Sequence, residues 1–124
     1  MVKYLIDTDI MVDHLISSEN NYLMNLMQTG ICFTTVLNAS ELLAVCKNDN
    51  EQSLVRKVLD SLKVLGIHSR YALSIPEFSD KTDNVRDALF SVVASINKLP
   101  IVTLREKRYN RTKLKIINPQ EVRV

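Results

Sequence analysis

Val2-Lys3-Tyr4-Leu5-Ile6, followed at once by Asp7-Thr8-Asp9, is the stretch on which the fold turns. The β-branched and aromatic run predicts a buried strand, and its abrupt ending puts two acids at the strand's carboxyl end. Ile10 to Ile16 then carries apolar residues at helical spacing. Asn20 to Met27 does so again, with Leu23, Leu26 and Met27 on one face. Gly30 is expected to end that second helix, in a position where positive φ is needed.

The same alternation continues along the chain. Ile31 to Thr34 predicts a second strand, and Thr35 or Asn38 caps a helix through Glu41, Leu42, Leu43 and Val45. Glu51 to Val64 predicts an amphipathic helix with Leu54, Val55, Val58, Leu59 and Leu62 as its stripe. Leu65 to His68 predicts a third strand, and Pro76 interrupts whatever forms between Ser69 and Asn84. Val85 to Asn97 predicts an apolar helix with Asp87 in its first turn. Ile101 to Leu104 and Leu114 to Ile117 complete about five strands, the last stopped by Asn118-Pro119. Strands separated by helices pair in parallel through right-handed crossovers, so the expected class is α/β with a mostly parallel central sheet.

A length of 124 residues fits one domain. With 46% hydrophobic and 24% charged residues, the composition excludes a disordered or low-complexity polymer. No apolar run is long enough to cross a bilayer, and no signal peptide precedes the first acids. Cys32 and Cys46 lack C-x-x-C spacing and read as reduced thiols, so a cytoplasmic protein without a membrane partner is expected. Charge is unevenly spread. From Arg105 onward seven bases face two acids, a net +5; before it nine bases face twelve acids, a net −3. An acidic body with a basic end suits a polyanionic partner, although lysines and arginines also guard a solvated edge strand.

Open α/β sheets bind ligands beyond the carboxyl ends of their strands. Asp7 and Asp9 fall there, Glu41 lies on the helix after the second strand, and Asp87 opens the helix that feeds the fourth. Taken singly, these are a helix cap, a solvated helix residue and a first-turn acid. Together they predict converging carboxylates, which repel unless a hard divalent cation neutralises them. An all-oxygen set prefers Mg²⁺ or Mn²⁺, and neither His14 nor His68 is spaced with a second zinc ligand.

These segments carry a resemblance. Tyr4-Leu5-Ile6-Asp7-Thr8-Asp9-Ile10, Thr34-Thr35-Val36-Leu37-Asn38-Ala39-Ser40-Glu41-Leu42, Asp87-Ala88-Leu89-Phe90 through Ala94 to Leu99-Pro100-Ile101-Val102-Thr103, and Ile116-Ile117-Asn118-Pro119 follow in order. The chain resembles PIN-domain proteins of the VapC toxin type over nearly its whole length. The resemblance implies a three-layer sandwich and a metal-dependent endoribonuclease, the toxin of a type II toxin-antitoxin pair. It implies that Asp7, Glu41 and Asp87 are catalytic and hold Mg²⁺ or Mn²⁺, with Asp9 as an outer ligand and Thr8 and Thr103 as orienting groups. Arg105, Lys107, Arg108 and Arg111 would bind the RNA substrate, with Tyr109 stacking on it or half-buried at an edge. A VapB-type antitoxin and a second copy of the chain are the implied partners, with an apolar groove among residues 10 to 45 suiting both.

Two departures stand against this pattern. Where the family often has Asp or Asn, two residues after the threonine of the fourth strand, this chain has Arg105. The stretch before Asp87 is also short and holds Pro76. The first departure leaves open a catalytically degenerate domain that binds RNA or protein without cutting. A strand followed by Asp7-x-Asp9 is similar, too, to the opening of haloacid-dehalogenase-type phosphatases, with Asp7 as nucleophile. That alternative needs a later acidic pair, for which Asp80 and Asp83 would have to serve.

Overall fold

Tyr4, Leu5 and Ile6 are all buried, which explains why β1 (Lys3–Ile6) reads as an unbroken apolar run rather than an alternation. Tyr4 and Ile6 join one core and Leu5 joins another, as the two-residue period of a strand requires. The structure is a computed structural model describing residues 1–16 and 19–124. Beside β1 lie β2 (Ile31–Thr35), β3 (Lys63–Leu65), β4 (Ile101–Val102) and β5 (Ile116–Ile117). They form one sheet in the order β3-β2-β1-β4-β5, with every pair parallel.

Four helices supply the residues of the first core: α1 (Thr8–Ile16), α2 (Tyr22–Thr29), α3 (Val36–Ala44) and α4 (Asp49–Asp60). Ile10, Met11, Leu23, Leu26, Leu42 and Val55 pack there with Tyr4, Ile6 and Val102. On the other face α5 (Val85–Asn97) brings Phe90, Val93 and Ala94 against Leu5, Ile101 and Tyr109. A 3-10 helix, Ser69–Glu77, runs along α5, and Phe78 just after it packs on Ala88 and Val92. The result is the three-layer α/β sandwich that the sequence leads one to expect.

Some boundaries differ from expectation. α4 ends at Asp60 rather than Val64, and β3 begins at Lys63 instead of Leu65. The apolar stripe misleads because Leu62 remains buried after the helix has ended. Gly30 is extended, with φ −169°, so positive φ is not its reason for being there. Space is the reason: a Cβ on Gly30 would stand 2.7 Å from the Val2 carbonyl oxygen and 2.8 Å from the Tyr4 ring. That carbonyl accepts from the Ile31 amide at 2.9 Å, one of the bonds that join β2 to β1. Gly30→Ala is therefore expected to cost about 1–3 kcal/mol, as overpacking does, read as a lower urea midpoint at unchanged m-value.

The chain lays β2 and β3 on one side of β1, then returns to lay β4 and β5 on the other. The strand order thus reverses between β1 and β4, and the crevice beyond their carboxyl ends is where such a sheet accepts a ligand.

Candidate functional site

Asp7 is the first residue past β1 and is fully buried. Its amide donates to the Val102 carbonyl at 3.0 Å, which holds it at the reversal of strand order. Asp87, the third residue of α5, is also buried, and a first-turn acid there complements the positive end of the helix. Asn84 caps α5 by accepting from the Asp87 amide at 2.8 Å. Glu41 lies in the second turn of α3, whose start is fixed by a reciprocal cap between Thr35 and Asn38. The Asn38 amide group then donates to Thr8 Oγ at 2.9 Å, and Thr8 Oγ donates to Glu41 Oε1 at 2.7 Å. A helix cap therefore doubles as a brace for the site.

What joins these acids is a base. The Arg86 guanidinium lies among them, with Nη2 2.7 Å from Asp7 Oδ1 and 2.7 Å from Glu41 Oε1. Its Nε donates to Glu41 Oε2 at 3.1 Å, and its Nη1 donates to Asp87 Oδ1 at 3.2 Å. Nη1 also donates to the Tyr109 hydroxyl at 2.7 Å, and that hydroxyl donates to Asp7 Oδ2 at 2.7 Å. The Phe90 ring supports the guanidinium, 5.2 Å from Cζ to centroid, and packs at a tilt on Tyr109. Tyr109 is 0% exposed. It is neither a half-buried edge residue nor free to stack on RNA; it is a buried strut beneath Asp7.

The electrostatics follow from this packing. Burial alone would lower the Arg86 pKa, but hydrogen bonds and charge from Glu41 and Asp7 outweigh it and hold the guanidinium charged. Burial would likewise raise the Glu41 pKa, yet the hydrogen bonds from Arg86 and Thr8 bring it below the usual carboxylate value. Burial, with the Asp7 carboxylate beside it, pushes the Tyr109 hydroxyl well up, so it stays protonated as a donor. Burial also pushes the Cys32 thiol up to about 12, consistent with an inert core residue.

Asp9 faces another way. Its Oδ2 accepts from Thr103 Oγ at 2.9 Å and from the Leu104 amide at 3.0 Å, tying α1 to the segment after β4. Its Oδ1 is buried with no hydrogen-bond partner among the described residues. Burial, reinforced by Asp7, raises its pKa. Of the expected orienting groups, Thr8 touches Glu41 and Thr103 touches Asp9.

Arg105 and Arg108 line a depression shared with Thr8, Asp9, Glu41 and Arg86, and both also line a larger open cleft with Lys107. That cleft has a volume of about 710 Å³. Arg105 and Lys107 are exposed, whereas Arg111 is tied at the surface to Asp83 at 3.2 Å. A separate groove of about 350 Å³ is lined by apolar residues of α1, α3 and α4, including Leu15, Leu42 and Leu54, and by Val45 just past α3. It reaches beyond the expected 10–45 segment because α4 forms one wall.

Sequence reasoning missed Arg86 and misread Tyr109. A signal existed for Arg86: a base in the first turn of a helix opposes the helix dipole and calls for a partner outside the helix. Nothing local marked Tyr109, whose partner lies 102 residues away.

Among the described residues, no three acidic, histidine or cysteine side chains stand together as a ready metal-binding group, because the guanidinium separates the carboxylates. The donors nonetheless suit a hard divalent cation in kind: three carboxylates directed at one positive centre, with only oxygen ligands.

An all-parallel sandwich with carboxylates gathered around a cation at its reversal point defines an α/β domain built to hold positive charge beyond its sheet. The profile of the PIN domain family matches residues 4–115, and the chain belongs to that family. Membership of that family sets aside the phosphatase reading. A search of curated proteins finds no match. Among solved structures, DNA-bound VapBC from Salmonella typhimurium is 17% identical, with a TM-score of 0.78 over 96% of this chain and 99% of the other. VapBC-1 from nontypeable Haemophilus influenzae is 14% identical, with a TM-score of 0.78 over 97% and 100%. A toxin-antitoxin complex from Klebsiella pneumoniae is 16% identical, with a TM-score of 0.77 over 94% and 97%. At such identities the likeness is one of fold. Among the described residues, no helix is long and apolar enough to cross a membrane.

Proposed function

We propose that this chain is a VapC-type toxin, a cytoplasmic metal-dependent endoribonuclease controlled by an antitoxin. The observation that carries this reading is the convergence of Asp7, Glu41 and Asp87 on one cation at the reversal of strand order. Those three carboxylates would hold Mg²⁺ or Mn²⁺, which would supply Lewis acidity to phosphodiester hydrolysis. Thr8 and Tyr109 hold Glu41 and Asp7 at fixed angles, and Asp9 serves as an outer group linked to Thr103. Arg105 and Arg108 line the depression beside Glu41 and, with Lys107, the larger cleft; these bases bind the RNA backbone, together with Arg111, which pairs with Asp83 of that cleft. Arg105 contributes phosphate binding at the position where relatives often carry an acid.

The antitoxin is assigned to the apolar groove between α1, α3 and α4, which offers a seat to the nonpolar face of a partner segment. The same reading takes the chain as a homodimer through its early helices. A degenerate, non-cutting domain is the second reading, favoured by Arg86 within the carboxylates and by Arg105. The deciding experiment incubates structured RNA with the purified chain and Mn²⁺ or Mg²⁺, alongside Asp7→Asn. Metal-dependent cleavage that falls by about a hundredfold or more in the variant is expected, the scale of a lost transition-state contact. Equal RNA binding without cleavage by either chain supports the degenerate domain.

A further inference from the structure

We propose that Arg86 is an internal competitor for the divalent ion, so that a metal enters the carboxylate cluster only by displacing the guanidinium. This rests on reading the cluster as a metal site, and it adds what controls occupancy. Arg86 is not a surface side chain resting on acids by chance. All five guanidinium N–H donors have partners: Nε on Glu41, Nη1 on Asp87 and Tyr109, Nη2 on Asp7 and Glu41. Its side chain is 19% exposed and lies on the Phe90 ring.

Competition follows from position and charge. An ion sharing Asp7 Oδ1 and Glu41 Oε1 would need the place now held by Nη2, which lies 2.7 Å from each. An ion beside a retained guanidinium would also meet a like charge at close range. The two cations therefore exclude one another, and each weakens the other by the same factor. The depression lined by Thr8, Asp9, Glu41, Arg86 and Arg105 provides the opening through which the side chain can withdraw.

The test is a calorimetric titration of the folded protein with Mn²⁺ alone, on the natural chain, Arg86→Gln and Arg86→Lys. Arg86→Gln is expected to bind Mn²⁺ about 10- to 100-fold more tightly, within the usual range of coupling at one site. Arg86→Lys keeps a positive charge to aid folding, loses the bridging fork, and should fall between the two. The natural chain provides a check without substitution: in ¹⁵N NMR, saturating Mg²⁺ should move the Arg86 Nε–H signal from a protected to an exchanging environment. Equal Mn²⁺ affinities for the three chains, or an Arg86 signal unmoved as Mg²⁺ saturates the carboxylates, overturns the competition. If affinities separate while RNA stays uncut, competition stands and the nuclease reading falls. RNA cleavage with equal affinities has the opposite meaning. No Mn²⁺ binding by any of the three defeats both.

Discussion

Arg86→Met is expected to lower the unfolding free energy by about 3–5 kcal/mol in metal-free buffer, the usual cost of removing one partner from a buried ion pair. Asp7 and Asp87 have side-chain exposures of 0% and 3% beneath the guanidinium, and an apolar side chain in its place offers neither of them a hydrogen bond. The methionine fills similar space but leaves carboxylates that repel one another in a poorly polarisable surrounding. Urea unfolding of both proteins measures the loss. Adding Asp7→Asn to Arg86→Met should recover part of it, because one of the clashing charges is gone, and the two changes should be strongly non-additive. A loss below about 1 kcal/mol, the scale of an exposed pair, would mean that the guanidinium is not what holds the acids together.

Phe90→Ala is expected to cost a similar amount, about 3–5 kcal/mol, for a different reason. Phe90 is 0% exposed, and its removal leaves a cavity beneath Tyr109 and Arg86 together. The loss should therefore reach the site. Tyr109 holds Asp7 through one hydroxyl, and a ring free to tilt into the cavity carries that hydroxyl away. Thermal unfolding reports the stability change, and ¹⁵N NMR of the Arg86 side chain reports the local one. Phe90→Leu should be much milder in both, since it retains most of the packed volume. If Phe90→Ala left the Arg86 signal unchanged, the aromatic pair would be core alone and no support for the cluster.

The order of elements and the parallel sheet were legible because each depends on local pattern. β1 is an apolar run ended by acids, and α5 matches its expected bounds because Asn84 caps one end and Lys98, at φ 54°, ends the other. Where core contacts outlast regular structure, pattern misleads, as at Leu62 beyond the end of α4. Asp7, Glu41 and Asp87 were visible as acids at one rim, since topology alone carries the ends of β1, α3 and α5 there. Their partner was not. A side chain's rotamer and the space around it decide whether Arg86 points to solvent or into the cluster, and no spacing rule encodes either. Tyr109 was misread for a related reason: it sits within Arg105 to Lys115, a run of bases, yet the backbone turns its ring beneath the sheet edge.

The bond from Tyr109 to Asp7 has a consequence for how the protein comes into being. Its two ends are 102 residues apart, so no amount of folding among the residues before Tyr109 can make it. Until Tyr109 packs beneath Asp7, the carboxylate lacks the donor that holds its Oδ2. Completion of the cluster therefore waits on one of the longest loop closures in the domain, between residues 7 and 109.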